Sequence, residues 1–361
     1  MDNTNLNSQQ LVKHCFPLDN ASCLRETRSP EVYVMLYIFS TVSVMLAIFG
    51  NLLVVISVSH FKQLHTPSNL LVLSLAVADF LVGISLMPFR IIKIIDNCWY
   101  FGDKFCYLNF VIDCMLTSVS MSNLVFIAID RYIAVCDPLL YSAKVTVPVT
   151  QLSITTSWFS SIFYTWVIMF FKGFYVTSGN ASICVGECEG FYAESWGLVD
   201  FIITFLIPCS IIVHLYSKIF IVAKRHLKII NFANQQKNTQ FVQQKMTPKK
   251  SERKAAKTLG IAISVFLFCW IPYYICSIVD TYTNVAIPNI LFSILTWLVY
   301  LNSGMNPIIY CCLKYCSMIF FGSKLNSQVG FVLCGECVYA LTSQRIYART
   351  AASFWSLTPY V

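Results

Sequence analysis

Charged side chains are scarce in this chain of 361 residues. Asp, Glu, Lys and Arg together make up 12% of the sequence, whereas a soluble globular domain carries about 25%. Hydrophobic residues make up 57% of the chain, and the mean hydropathy is +0.66. This balance argues against a soluble protein and predicts an all-α membrane protein.

Other absences narrow the function. No nucleophile–base pair and no cluster with metal-ligand spacing falls in an apolar run, so neither an enzyme nor a metal site is predicted. Residues 288–312 contain no lysine, which excludes a retinal photoreceptor with a Schiff base there. An ion-coupled transporter that uses Asp79 and Asp113 as a relay is disfavoured, because the sequence shows no internal repeat.

Seven apolar runs are long enough to cross a bilayer as helices, which takes about 20 residues each. They predict a seven-transmembrane helix bundle over residues 32–312, an extracellular segment over 1–31 and an atypical cytoplasmic tail over 313–361. The polar first segment lacks the basic-then-apolar plan of a cleaved signal peptide, so the first span is expected to start translocation. The runs lie near 32–59, 68–95, 106–136, 148–171, 195–223, 256–280 and 288–312.

The distribution of Lys and Arg predicts the orientation. With the N-terminus outside, 7 of the 25 basic residues, including Arg90, fall in extracellular segments and 18 fall on the other side. The positive-inside rule favours this arrangement in the plasma membrane. The glycosylation sequons at Asn20 and Asn180 also fall on the outer side. The net charge of +8 is therefore read as a cytoplasmic basic face beside membrane lipid and not as a nucleic-acid surface.

Six cysteines lie in the predicted outer segments, where disulfides persist. Their even number favours pairing, although the sequence alone leaves fifteen connectivities open. They are Cys15, Cys23, Cys98, Cys106, Cys184 and Cys188.

The third run carries an acid near one end and a charged cluster at the other. A lone carboxylate such as Asp113 in a membrane span is costly, and it is a functional candidate by default. Arg131, within Asp130-Arg131-Tyr132, follows eighteen positions later, which is about 27 Å and five helical turns. Asp113 is therefore expected to face a ligand from outside, and the cluster to face an intracellular partner.

A second acid, Asp79, lies deep in the second run. Polar residues at comparable depth on other runs could join it in a hydrated site for a small cation such as Na⁺. A hydrogen-bonded packing cluster without an ion explains them equally well, since buried polar groups need partners either way. The polar residues are Asn51, Ser120, Asn302 and Ser303.

A third acid, Asp200, lies about two turns into the fifth run, at a depth similar to that of Asp113. Two acids at matched depth are costly without a cationic counterpart, which favours a ligand-binding role over that of a solvated acid at the mouth of the span. Trp297 and Tyr300 on the seventh run are expected to form an aromatic wall around an ammonium bound to Asp113.

The cytoplasmic half contains candidate moving parts. Pro272 is predicted to kink the sixth run beneath Trp270 and to act as a pivot. Glu252, at the cytoplasmic base of that run, is placed to pair with Arg131 when the third and sixth runs are close. Separation of the two runs would break that pair and free Arg131 for a partner.

Together these residues resemble the rhodopsin-like family of G-protein-coupled receptors over about residues 32–310. Within it the chain is similar to the trace amine-associated receptors of a fish-type olfactory branch, on Cys98 to Gly102, Ala134 to Leu139 and Ser251 to Gly260. The broader family's ordered marks are Gly50-Asn51, Leu75 to Asp79, Cys106, Asp130-Arg131-Tyr132, Trp158, Pro208, Phe268 to Pro272 and Asn306 to Tyr310.

The resemblance implies roles for single residues. Asp113 matches the amine-binding acid, Asp200 an acid that similar receptors for diamines carry, and Trp270 the switch tryptophan. Tyr273 stands where Phe is more usual. The implied ligand site is Asp113, Asp200, Thr204, Trp270, Tyr273, Tyr274, Trp297 and Tyr300. The implied coupling and switch set is Asp130, Arg131, Tyr132, Glu252, Pro272, Asn306, Pro307 and Tyr310.

The resemblance also implies three disulfides, Cys106–Cys188, Cys15–Cys184 and Cys23–Cys98. After Tyr310 the match fails, since Cys311-Cys312-Leu313-Lys314 replaces the aromatic and basic stretch of the family.

The predicted function is a receptor for protonated amines that activates a heterotrimeric G protein, with stimulatory coupling and a rise in cAMP implied by resemblance. Two acids favour short diamines such as cadaverine or putrescine. A monoamine-selective trace amine receptor, with Asp200 only a rim acid, is the alternative. A neurotransmitter amine receptor is a further alternative within the class, although those with catechol ligands tend to offer serines where this chain has Asp200 and Thr204. No cofactor is expected apart from a structural Na⁺.

Overall fold

The computed structural model describes residues 14–19, 21–177, 184–235, 250–283, 285 and 287–320. It describes side chains to residue 225 in the fifth span, from 260 in the sixth and to 308 in the seventh. The chain divides into two units, Met1–Pro307 and Ile308–Val361. Only the helical residues 308–320 of the second unit are described, and the predicted tail lies otherwise outside the described residues.

The first three spans begin the bundle. The first is α1 (Pro30–His60), with a π-helical turn at Leu46–Gly50. The second is divided into α2 (Pro67–Ser85) and α3 (Met87–Asp96), because Pro88 lacks the N–H that would continue the helix. The third is α4 (Asp103–Cys136).

The remaining spans follow a short helix on the cytoplasmic side, α5 (Pro138–Lys144). The fourth span is α6 (Val147–Phe170). The fifth comprises α7 (Glu194–Asp200), a π-helical segment at Phe201–Leu206 and α8 (Ile207–Gln235). The sixth is α9 (Lys250–Tyr282) and the seventh is α10 (Asn289–Phe320).

Several helices start with proline in the first turn, where its missing N–H costs nothing. Pro30, Pro67, Pro88, Pro138 and Pro148 all occupy such positions. Pro272 and Pro307 instead lie inside α9 and α10, where the sequence predicts kinks.

Five described helices are long and apolar enough to cross a membrane. The fourth and seventh spans are not among them. Eight of the 24 residues of α6 are Ser or Thr, and the stretch 302–306 of α10 includes two Asn and a Ser. Polar residues of this kind lower the mean hydropathy of a helix without adding charge.

Helix α4 is the centre of the bundle, where it packs against α2, α6 and α8. Many large apolar side chains on the other faces are exposed, among them Phe159, Phe163 and Trp166 of α6. In a membrane protein such faces contact lipid chains instead of water.

A two-stranded antiparallel sheet covers the extracellular end. Strand β1 (Phe174–Thr177) pairs with β2 (Glu189–Tyr192), with Phe174 opposite Tyr192. The disulfide Cys106–Cys188 joins the loop before β2 to the top of α4, as the resemblance implied. The sheet itself was not anticipated from the sequence.

The other two predicted disulfides are wrong in their pairing. The structure joins Cys15 to Cys98 and Cys23 to Cys184. Cys15 and Cys23 are adjacent, because the Cys15 amide donates to the Cys23 carbonyl at 2.9 Å. The Cys23 amide also donates to the Val185 carbonyl at 2.9 Å, which aligns Cys23 with Cys184 and leaves Cys15 facing Cys98.

Candidate functional site

Asp113 lies at an internal cavity near the outer half of the bundle. The cavity has a volume of about 30 Å³, enough for about two water molecules. Asp113 and Tyr300 line its outer part, while Asp79, Ser120 and Asn302 line its inner part. The Asp113 side chain is 29% exposed. The Tyr300 hydroxyl donates to Oδ2 of Asp113 at 3.3 Å, as the predicted pocket requires.

Arg90 is a charge of this site that the sequence analysis missed. The sequence predicts an extracellular position for it, but it is buried in the bundle with 7% of its surface exposed. Its Nη2 atom lies 3.7 Å from Oδ2 of Asp113, and its guanidinium carbon lies 3.6 Å from the centre of the Phe110 ring. Phe110 lies about one turn outward from Asp113 on α4. The two side chains are therefore on the same side of that helix, and both contact Arg90.

Asp200 is buried, with 8% of its surface exposed, so the reading as a solvated acid at the mouth of the span is wrong. The Tyr164 hydroxyl of α6 donates to its Oδ1 atom at 2.7 Å, and Tyr192 of β2 also forms a side-chain hydrogen bond with it. Thr204 donates to the Asp200 backbone carbonyl at 2.7 Å. Neither tyrosine was predicted, since nothing in the sequence brings these three elements together.

Aromatic side chains of α9 connect the surroundings of the two acids. Trp270 lines the cavity together with Asp113, and its ring lies 6.2 Å from that of Tyr273. The Tyr274 hydroxyl lies 3.4 Å from that of Thr204, and the Trp270 ring lies 5.7 Å from that of Tyr274. The predicted residues on the fifth and sixth spans are therefore brought together.

Trp297 is not placed as predicted. Its ring packs 5.4 Å from Phe39 of α1, and it is not among the described residues that line the cavity. Residues three apart on a helix differ by about 60° in direction. Tyr300 can therefore point at Asp113 while Trp297 points toward α1.

The polar residues around Asp79 do converge. The Asn306 side-chain amide donates to Oδ2 of Asp79 at 2.8 Å, and the Asn51 amide donates to the Ser303 carbonyl at 2.9 Å. Ser120, Asn302 and Ser303 line the same cavity as Asp79. The Ser120 hydroxyl is buried and has no hydrogen-bond partner in the structure, and a buried polar atom of this kind calls for a water or an ion.

At the cytoplasmic end of α4, Arg131 is paired with its neighbour. Its Nε atom donates to Oδ2 of Asp130 at 2.8 Å, and its Nη2 atom contacts Ser68 of α2. The Tyr141 hydroxyl of α5 donates to Oδ1 of Asp130 at 2.9 Å. Tyr132 packs with Val135 and Ile219. The side chains of Glu252 and Tyr310 lie outside the described residues, so the proposed pair with Arg131 stays a prediction.

An extracellular ion pair ties the N-terminal segment to the bundle. Arg25 contacts Oδ1 of Asp96 at 3.1 Å, and the Tyr100 hydroxyl donates to Oδ2 of Asp96 at 3.1 Å. Burial and the Asp96 charge raise the pKa of Tyr100 to about 12. Asp96 is thus buried and paired with Arg25.

Residues 50–310 match the 7 transmembrane receptor (rhodopsin family). Trace amine-associated receptor 13c of Danio rerio is 44% identical over 299 residues, which cover 82% of this chain and 87% of that relative. The chain belongs to the trace amine-associated receptors of the rhodopsin family.

Mammalian relatives are similar over comparable lengths. Trace amine-associated receptor 9 of Homo sapiens is 42% identical over 314 residues, covering 85% of this chain and 88% of its own length. Trace amine-associated receptor 8a of Rattus norvegicus is 41% identical over 342 residues, covering 93% and 96%. This receptor is therefore a seven-span protein of the plasma membrane that acts through G proteins and not an enzyme.

Proposed function

We propose that the receptor binds a protonated amine at Asp113 and that Asp200 receives a second ammonium, so that short diamines are favoured. The observation that carries the proposal is Asp113, whose partly exposed side chain lines the cavity with Tyr300 as its aromatic neighbour. An ammonium at this place gains both an ion pair and cation–π attraction.

Asp200 can accept a further donor. A carboxylate offers about four acceptor positions, and Tyr164 and Tyr192 each form one side-chain hydrogen bond with it. A diamine would use a remaining position, whereas a monoamine would leave it unused. The tyrosines also lessen the penalty for a monoamine, which keeps the monoamine-selective receptor as the second candidate.

Binding has to enlarge the site. A cavity of about 30 Å³ is far smaller than typical ligand pockets, which measure about 300–1,000 Å³. The structure therefore supports a closed, resting form in which Trp270 lines the small cavity. Agonist binding would shift the equilibrium toward a wider form with the cytoplasmic end of α9 swung outward and Arg131 released to a G protein. Stimulatory coupling with a rise in cAMP is part of this proposal.

A sodium ion fits the inner part of the cavity. Asp79 would supply the charge, and Ser120, Asn302 and Ser303 would supply oxygen ligands. The unpartnered Ser120 hydroxyl is the observation that supports it. Bound there, the ion would neutralise Asp79 and hold these helices together. Glycosylation at Asn20 and Asn180, which lie outside the described residues, an olfactory role, direct lipid contacts and the tail boundary at 313 stay predictions.

The test compares cadaverine with pentylamine, its counterpart with a single amine, in cells that express the full chain. Cyclic AMP and surface staining are measured for wild type, Asp113→Asn and Asp200→Asn. Asp103→Asn is the control, because Asp103 is an exposed acid at the start of the same helix.

We expect cadaverine to be the more potent agonist and Asp113→Asn to reduce its potency at least about 100-fold, as removal of a buried ion-pair partner does. Asp200→Asn should bring cadaverine down to the level of pentylamine. If both amines are equally potent in wild type and Asp200→Asn does not change their potency, the monoamine receptor is favoured. A normal response of Asp113→Asn would remove the amine site from Asp113.

A further inference from the structure

The outer site holds three charged side chains and not two. Arg90 lies 3.7 Å from Asp113. Asp200 is hydrogen-bonded through its carbonyl to Thr204, whose hydroxyl lies 3.4 Å from that of Tyr274 on α9. The sum of the three formal charges is −1, since one guanidinium opposes two carboxylates. Any ligand that enters this buried region has to match that arrangement, because an uncompensated charge in a medium of low polarity is costly.

Two nitrogen atoms of the buried Arg90 guanidinium lack a hydrogen-bond acceptor. Its Nε and Nη2 atoms have no hydrogen-bond partner in the structure, and the distance of 3.7 Å to Asp113 is too long for a hydrogen bond. Its ring neighbour Phe110 offers only a π face. A buried guanidinium with free N–H groups is costly, and a carboxylate is the acceptor that fits its planar fork.

A simple diamine does not satisfy this site completely. Its two positive charges added to the site's −1 leave +1, and the N–H groups of Arg90 stay without an acceptor. A monoamine balances the charge but leaves Asp200 without an ammonium and Arg90 without an acceptor. A ligand with two ammonium groups and one carboxylate balances the charge and supplies the missing acceptor.

We infer that the preferred ligands are basic α-amino acids, such as lysine or ornithine, whose carboxylate binds Arg90. The inference rests on the proposed amine site at Asp113. In an α-amino acid the ammonium and carboxylate share one carbon, so neighbouring charges of opposite sign, as in Asp113 and Arg90, match this head group. The distal ammonium then extends past Tyr273 toward Asp200.

The experiment uses two matched ligand pairs. Cadaverine is lysine without its carboxylate, and putrescine is ornithine without its carboxylate, so each pair isolates the group that would bind Arg90. Lysine methyl ester keeps both amines and removes only the negative charge. Dose–response curves for cAMP are recorded with all five compounds on the full-length receptor.

Two variants of Arg90 separate charge from geometry. Arg90→Met keeps an apolar chain of similar length, and Arg90→Lys keeps the charge but lacks the fork. Lys93→Met is the matched control, because Lys93 lies on the same helix and pairs with Glu189 of β2. Surface staining is measured for each variant. If Arg90→Met fails to reach the surface, Arg90→Lys and the ligand pairs in wild type decide.

We expect lysine to exceed cadaverine in potency at least ten-fold in wild type, and lysine methyl ester to fall to the level of cadaverine. Arg90→Met should reverse the order, Arg90→Lys should reduce the lysine preference, and Lys93→Met should retain it. If cadaverine activates and lysine does not, the inference is wrong while the amine site stands. If no compound activates a receptor that is present at the surface, both fail together.

Discussion

Tyr164 on α6 donates its hydroxyl hydrogen to Oδ1 of Asp200 at 2.7 Å, across the contact between the fourth and fifth spans. The bond gives a buried carboxylate a partner in the absence of ligand, which explains how the receptor tolerates a second acid in its outer half. It also means that a ligand ammonium at Asp200 has to share the carboxylate with tyrosine.

Replacement of Tyr164 tests that competition. We expect Tyr164→Phe to lower the melting temperature of the purified receptor, since a hydrogen bond to a charged group contributes about 1.5–3 kcal/mol. The same change should increase the potency of cadaverine relative to pentylamine, because the freed oxygen becomes available to the distal ammonium. Thermal unfolding and cAMP dose–response curves measure the two effects.

The control for this variant is Tyr175→Phe. Tyr175 lies on β1 and is 50% exposed, so loss of its hydroxyl should change neither the melting temperature nor the potency ratio. If Tyr164→Phe behaves like this control, the Tyr164 bond does not stabilise Asp200, and no ligand group competes for it.

The disulfide pairing can be decided by single substitutions. In the structure Cys15 is bonded to Cys98, so Cys15→Ser should leave Cys98 as the new free thiol. Cys23→Ser should likewise free Cys184. Alkylation of the unreduced receptor, followed by mass spectrometry of its peptides, identifies the labelled cysteine. Labelling of Cys184 in Cys15→Ser would instead support the pairing implied by family resemblance.

The sequence was sufficient for the spans but not for the chemistry around the acids. Apolar length and the depth of single charges located the helices, Asp79, Asp113 and Asp200, because both properties can be counted along one chain. The partners Arg90, Tyr164 and Tyr192 are supplied by other elements, and side-chain direction across a helix contact cannot be counted. Trp297 shows the same limit, since a difference of about 60° in direction from Tyr300 turns it from the pocket toward α1.

At Gly190 on β2 there is no space for a side chain. A Cβ atom there would lie 2.4 Å from Cζ of Phe174 and 2.7 Å from Cε1 of Phe110, and Phe110 supports Arg90. We expect Gly190→Ala to lower receptor stability by about 1–3 kcal/mol through overpacking, measured as melting temperature and surface expression.

Gly260→Ala is the matched control for this prediction. Its nearest neighbour would be the Tyr216 ring at 3.6 Å, which is an ordinary contact, and alanine suits a helix interior better than glycine. This variant should therefore be as stable as wild type or more stable. If the Gly190→Ala receptor is as stable as the Gly260→Ala receptor, the β-hairpin can move away from Phe110.

The Asp79 region predicts a stabilisation that is specific to sodium. An ion bound to the folded receptor raises its stability by about 1.4 kcal/mol when its concentration is ten times its dissociation constant. The melting temperature in NaCl should exceed that in KCl by a few degrees, and Asp79→Asn should abolish the difference.

Ser120→Ala should reduce the difference while leaving the value in KCl almost unchanged, because the Ser120 hydroxyl has no hydrogen-bond partner in the structure. Ser85→Ala should retain the full sodium effect, since that hydroxyl donates to the Leu81 carbonyl at 2.6 Å. If the wild type melts at the same temperature in both salts, no sodium ion binds there. The region is then a hydrogen-bonded polar cluster held by Asn306 and Asn51.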